Sequence, residues 1–225
     1  MCFSAGASFG ASAVLSVVGV LTLKKVEKKQ QYLFAAIPII FAIQQFTEGF
    51  VWLSISNPDF AFLHRASVHI FLIFAQVLWP VWIPISVLLL EQKRKQKIAL
   101  YALTFWGTIV SCVLAFYLTN NNPVVQIDSC HIQYLLVAPL SDFRFSGMFY
   151  FIPTVIPLFI SGIKKLWVFG VATVVSYLVT QLFYVEYSLS VWCFFAAVLS
   201  VIIYYLMGII KDGEHSEKMR EWYKN

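Results

Sequence analysis

Apolar residues along the chain fall into seven long runs, which are separated by short polar or charged stretches. An α-helix needs about 20 apolar residues to cross the hydrocarbon of a bilayer, and the runs are of that order. The pattern predicts one helix for each run, at about 3–23, 32–55, 66–90, 98–118, 146–163, 166–185 and 188–210. We therefore expect an all-α, polytopic membrane helix bundle with seven transmembrane helices.

Composition supports a membrane protein and argues against a nucleic-acid-binding one. The chain is 60% hydrophobic and only 12% charged, with a mean hydropathy of +0.78. Soluble domains carry about 25% charged residues. The formal net charge is +5, but the positive charges sit in short clusters between the apolar runs. The partner that this arrangement indicates is the lipid bilayer.

The positions of lysine and arginine predict the orientation in the membrane. Fourteen of the sixteen lie at one side of the runs, in the segments 24–29, 93–97, 164–165 and 211–224. The opposite side holds Arg65 and Arg144. By the positive-inside rule the N-terminus is outside and the C-terminus is cytoplasmic. We expect a multi-pass protein of the cell membrane. It would have one domain at 1–210 with an outer loop at 119–145, and a charged tail at 211–225.

Two segments are expected to depart from straight helices or simple loops. Pro80 and Pro84 lie in the third run, and each lacks a backbone donor, so this helix should be kinked or broken. The outer loop is too apolar in its middle, at 132–140, to be freely solvated. We expect it to pack back on the bundle as a lid or as a short interfacial helix.

Polar residues interrupt the second apolar run. Gln44, Gln45 and Glu48 lie within it, and Gln44, Glu48 and Trp52 recur at the i, i+4, i+8 spacing that shares one helical stripe. A carboxylate near the centre of a bilayer costs roughly 2.5 kcal/mol or more, so it normally faces a bundle interior and serves a function. A structural carboxylate bonded to its neighbours is the alternative interpretation.

The predicted topology places other polar residues at the same outer level as Glu48. His69 enters the third helix from the outer side, and Tyr184 ends an inward stripe of the sixth helix that also holds Thr173, Tyr177 and Thr180. We expect Glu48 to form the floor of an outward-facing polar pocket. Its candidate ligand-binding residues are Gln44, Gln45, Glu48, Trp52, His69 and Tyr184.

The same outer region holds the residue types that bind transition metals or act as nucleophiles. The candidate catalytic residues are Glu48, His69 and Cys2, and the candidate ligands of a metal such as zinc are Glu48, His69, His131 and Cys2. Removal of Met1 would give Cys2 a free amine. A disulfide between Cys2 and Cys130 is a further hypothesis. The spacing of Asp128, Cys130 and His131 matches no standard zinc signature, and an ordinary polar loop is the alternative.

Two motifs together carry a resemblance to a known family. The chain begins Met1-Cys-Phe-Ser and continues with Gln44-Gln-Phe-Thr-Glu-Gly-Phe-Val-Trp52 in its second helix. In this it resembles a family of bacterial multi-span proteins of unknown function. The resemblance implies that the membrane is a bacterial inner membrane, and it implies no activity. It also implies a shared feature made of Cys2, Phe3, Ser4, Gln44, Gln45, Glu48, Gly49 and Trp52.

Three functions are compatible with these residues. The first is a binding or sensing protein whose outer pocket holds a small ligand, a lipid or a metal. The second is an intramembrane, metal-dependent enzyme, similar to a hydrolase, that acts at the outer leaflet. The third is a transporter that uses Glu48 as a cation site, although no internal repeat supports it. Nothing in the sequence identifies a protein partner.

Overall fold

The computed structural model describes residues 4–128, 131–135, 146–183 and 195–211, most of which are helical. The α-helices are numbered α1 to α9 in chain order: Ala5–Leu23, Tyr32–Ala35, Ile37–Ser56, His64–Leu72, Trp79–Leu90, Arg94–Asn120, Ser146–Ile160, Leu166–Phe183 and Phe195–Lys211. Short 3-10 turns precede α2 and α4, at Lys29–Gln31 and Pro58–Leu63. Two strands, β1 (Val124–Asp128) and β2 (His131–Leu135), pair as an antiparallel hairpin.

Several of these helices have the length and composition of membrane spans. Within the described part of the chain, five pass that test: Ala5–Leu23, Lys29–Ser56, Pro58–Val77, Arg94–Asn120 and Leu166–Phe183. Three shorter apolar helices accompany them: Trp79–Leu90, Gly147–Ile160 and Phe195–Lys211. The prediction of a bundle of apolar helices is therefore confirmed. The number of seven spans, the orientation and the boundary at residue 210 stay predictions.

The third apolar run is broken, as its prolines predict. A π-helical turn, Ile73–Val77, separates α4 from α5, and Leu78 N donates to Ile73 O at 3.0 Å in place of a regular α-helical bond. The break lies directly before Trp79 and Pro80, where the missing proline N–H prevents a regular helical hydrogen bond. Turns of this kind are frequent at functional sites.

The described part of the predicted outer loop contains the β-hairpin. Ile132 and Tyr134 of β2 are buried in an apolar cluster that also contains Trp52 and Phe71. The rings of Phe71 and Tyr134 stack with their centroids 4.9 Å apart. The start of the apolar middle therefore packs on the bundle as a strand, whereas residues 136–140 lie outside the described residues. Burial of Ile132 and Tyr134 follows the period of two that a strand requires.

Small residues bring helices α1 and α3 together. Ser12 Oγ donates to the carbonyl oxygen of Ala42 at 2.8 Å. A side chain at Gly49 would place its Cβ 2.6 Å from the ring of Phe9, so α1 and α3 can approach this closely only because residue 49 is glycine. Small residues on both helices, Ser12 on α1 and Gly49 on α3, therefore permit the close packing of these two helices.

Gly107 permits the same close approach between α5 and α6. The carbonyl oxygen of Pro80 would normally accept a hydrogen bond from residue 84, but Pro84 has no N–H. The backbone of Gly107 lies against this carbonyl, and a Cβ at position 107 would overlap it. Only glycine leaves enough room at this contact.

Candidate functional site

Glu48 lies inside the bundle, as the helical stripe predicts. Its side chain is 0% exposed, and Gln45 Nε2 donates to Glu48 Oε2 at 3.0 Å, one helical turn away. Gln44, Gln45 and Trp52 are also buried. The stripe of polar residues on α3 therefore faces protein and not lipid. Because burying an uncompensated charge is costly, the bond from Gln45 is part of what stabilises the carboxyl group in this position.

Of the other predicted site residues, the structure describes His69 and His131, and neither is buried as Glu48 is. His69 is half-exposed on α4, and its Nδ1 lies 2.8 Å from the carbonyl oxygen of Arg65. His131 is half-exposed at the start of β2. Cys2, Cys130 and Tyr184 lie outside the described residues.

A metal centre finds no support among the described residues. No three of their His, Cys, Asp or Glu side chains come close enough together to hold an ion. Structural zinc sites need four ligands and catalytic sites need three. Glu48, His69 and His131 therefore do not form the predicted zinc site together.

A cavity of about 510 Å³ lies between α3, α5, α6, α7, α8 and α9. Of the predicted ligand-binding residues Gln44 lines it, while Glu48, Trp52 and His69 lie outside it. Apolar side chains form most of the wall, and the polar ones are Gln44, Gln76, Trp79, Trp106, Tyr150, Thr154, Thr173, Tyr177, Thr180 and Gln181. Its volume falls within the range of about 300–1,000 Å³ that is usual for small-molecule sites.

The cavity borders the break between α4 and α5. Breaking the helix frees backbone carbonyls, and side chains of neighbouring helices bind two of them. Tyr150 Oη donates to Ala75 O at 3.2 Å, and Ser111 Oγ donates to Val77 O at 2.6 Å. Irregular backbone at membrane depth is tolerated where neighbouring groups satisfy it in this way. These two bonds hold the π-helical turn as one wall of the cavity.

Trp79 lines the cavity with a buried indole ring. Its side chain is 5% exposed, and its ring packs on Phe41 with centroids 4.5 Å apart. Among the described residues, Trp79 Nε1 has no hydrogen-bond acceptor, and this atom is too deeply buried for a water-sized molecule to reach it. Trp79 therefore contributes the surface of its ring to the cavity wall.

The threonines on the cavity wall supply acceptors. The hydroxyl groups of Thr154, Thr173 and Thr180 each donate to a carbonyl on their own helix, at 2.8 Å in all three cases. Their protons are committed to the helix, so their free lone pairs can accept hydrogen bonds. The sixth apolar run forms α8. Its predicted inward face is confirmed for Thr173, Tyr177 and Thr180, which all line this cavity.

Comparison with known protein families gives a match over most of the chain. A family model described as a family of unknown function (DUF6629) matches residues 1–217. The chain belongs to DUF6629. The resemblance seen in the first two helices was likewise to an uncharacterised family. No curated protein and no solved structure matches the chain.

This DUF6629 protein has a second buried carboxylate, Glu91, at the basic end of the bundle. One oxygen accepts hydrogen bonds from the backbone N–H groups of Gln92 and Lys93, both at 3.0 Å. The other accepts from Ser161 Oγ at 2.9 Å and from Gly162 N at 2.6 Å. Burial raises the pKa of Glu91, but these bonds lower it more, so its pKa lies below the ordinary value. Glu91 thus joins the α5–α6 connection to the α7–α8 connection.

Sequence reasoning missed both the cavity and the role of Glu91. The polar stripe on α8 indicated an inward face, but the opposing wall comes from helices far away in the sequence. Glu91 sits in a charged stretch, Glu91-Gln-Lys-Arg-Lys95, where a solvated carboxylate is the natural expectation.

Proposed function

We propose that this protein is a multi-pass protein of a bacterial cell membrane that binds a small, largely apolar molecule inside its helix bundle. In the proposed orientation the basic ends of the helices face the cytoplasm and the hairpin faces outward. The observation that carries the proposal is the largely apolar cavity of about 510 Å³ between the helices.

The distribution of residues along the cavity supports an amphipathic ligand. Toward the basic end its wall is apolar, with Ile37, Ile83, Leu158 and Phe169. In the middle and toward the hairpin end it contains the amides of Gln44, Gln76 and Gln181 and the hydroxyl of Tyr177. A chain would lie toward the basic end, and a hydrogen-bonding group would lie among the polar side chains.

The polar groups favour a neutral or weakly polar head over a strongly charged one. The residues that line the cavity include no lysine, arginine, aspartate or glutamate among those described. An ionised group would lose its hydration there without an opposite charge to compensate. Hydroxyl, ester and carbonyl groups match the glutamine amides and the tyrosine hydroxyl of the wall, which can both donate and accept hydrogen bonds.

Two substitutions on one helix test the proposal. Thr173→Trp fills the cavity, whereas Val175→Trp places the same ring on an exposed position of α8 that does not line it. Native mass spectrometry of protein released from mild detergent should show a retained small molecule in the wild type and in Val175→Trp. The adduct should be lost in Thr173→Trp.

A hydroxyl group on the wall gives a second test. Tyr177→Phe keeps the aromatic packing on Phe151 and removes the hydroxyl group. The affinity for the retained molecule should fall about tenfold, the equivalent of one hydrogen bond of about 1.4 kcal/mol, and the retained fraction should fall with it when the molecule is limiting. Equal retention in the wild type and Thr173→Trp would show that the molecule binds elsewhere and would overturn the proposal.

A further inference from the structure

We propose that the ligand is a lipid chain taken sideways from the bilayer, through a portal between α6 and α7 that Trp106 and Phe149 close. This inference rests on the proposed function, because it names the class of molecule that the cavity binds and its path.

The cavity opens on the side of the bundle, where wall residues are also surface residues. Trp106 is 36% exposed and Phe149 is 38% exposed, and both line the cavity. Ile109 and Val113, further along α6, likewise line the cavity and are exposed. Wall residues of a closed cavity would be buried, so this strip of α6 marks an opening.

The position of the portal along α6 points to lipid and not to water. Trp106 lies twelve residues after Arg94 and fourteen before Asn120, the two ends of the helix. At 1.5 Å per residue these separations are about 18 and 21 Å. The hydrocarbon core is about 30 Å thick, so a portal midway along a spanning helix faces acyl chains. Strongly polar molecules do not reach this depth.

A contact between two aromatic residues bridges the portal. The rings of Trp106 and Phe149 stack with centroids 5.6 Å apart and planes 15° from parallel. Trp106 Nε1 also donates to the carbonyl oxygen of Phe149 at 3.2 Å. One stack and one hydrogen bond together amount to a few kcal/mol at most, so rotation of the indole opens the gap at modest cost.

The test uses a photoactivatable lipid as the probe. Protein with its cysteines replaced by serine is reconstituted in phosphatidylcholine vesicles that contain a diazirine-bearing acyl chain, then irradiated and mapped by peptide mass spectrometry. Label is expected on the cavity residues Leu158 and Thr173, in addition to the lipid-facing Val175. Trp106→Cys/Phe149→Cys then allows the portal to be closed with a short bis-methanethiosulfonate reagent, which forms a disulfide with each cysteine and releases methanesulfinate.

Closing the portal should cut the label on Leu158 and Thr173 at least fivefold while the label on Val175 stays unchanged, provided that the reagent is added before the lipid. Trp106→Ala should speed labelling of the cavity. Phe105→Ala is the control, because Phe105 is exposed and does not line the cavity, and it should leave the labelling rate unchanged.

Undiminished cavity labelling after closure would overturn the side portal. If the wild-type cavity takes no label but native mass spectrometry still shows the retained molecule, the ligand is not a lipid chain from the bilayer. Loss of both signals would instead reject the proposed function.

Discussion

The hydroxyl group of Tyr150 donates a hydrogen bond to the carbonyl oxygen of Ala75, 3.2 Å away, and so ties α7 to the π-helical turn. The break at the turn frees this carbonyl, and in hydrocarbon an unsatisfied carbonyl is costly. The pair therefore stabilises the irregular wall of the cavity.

Replacing Tyr150 with phenylalanine should destabilise the protein and loosen this wall. The expected loss is about 1–3 kcal/mol, because a buried acceptor is left without its donor. The midpoint of denaturation in detergent measures the loss. Tyr101→Phe is the matched control, since Tyr101 is exposed, and it should leave the midpoint unchanged. An equal midpoint for both variants would show that water replaces the hydroxyl group without cost.

Substitutions at Glu48 should separate the shape of the side chain from its ability to accept a hydrogen bond. Glu48→Gln keeps an oxygen acceptor for Gln45 Nε2, whereas Glu48→Leu removes the acceptor of this buried hydrogen bond. We expect the leucine variant to be less stable than the glutamine variant by about 1–3 kcal/mol. The comparison is made by chemical denaturation at neutral pH. A more stable leucine variant would mean that the carboxyl group is retained for function alone.

Two glycines give opposite expectations for the same substitution. Gly107→Ala forces a methyl group into the carbonyl of Pro80, and backbone cannot move away cheaply, so a loss of about 1–3 kcal/mol is expected. Gly10→Ala on α1 meets open space and should stabilise by up to about 1 kcal/mol through helix propensity. Thermal unfolding of the two variants side by side measures the contrast. Destabilisation by both would indicate that α1 is covered at Gly10 by another surface.

The sequence predicts the helices well because their signal is local. Runs of apolar residues locate each helix, and the i, i+4 spacing places Gln44 and Glu48 on one buried stripe of α3. The strand at Ile132–Tyr134 is harder to predict, since its apolar alternation is too short to distinguish it from a helical turn. The cavity could not be predicted, because it depends on which faces of α5, α6, α7 and α8 meet. The way these faces meet depends on Gly107 and on the hydrogen bonds that Pro80 and Pro84 cannot donate. The periodicity of apolar residues shows neither.

Stability should fall in acid partly because of Glu91. Its folded-state pKa is lowered, while the unfolded value is about 4.3. A lowered pKa contributes stability that is fully present above the unfolded pKa and is lost as the pH falls through the folded one. The denaturant concentration at the wild-type unfolding midpoint should therefore decrease as the pH is lowered below about 4.3. Glu91→Gln replaces a charged hydrogen-bond acceptor with a neutral one, so the variant should be less stable at pH 7 by about 1.5–3 kcal/mol. Because glutamine does not titrate, the stability of the variant should also depend less on acid.

Asp59→Asn, at an exposed carboxylate, is the control and should retain the wild-type acid dependence. If the stability of Glu91→Gln changes with pH as steeply as that of the wild type, the carboxylate does not stabilise the contact between the α5–α6 and α7–α8 connections.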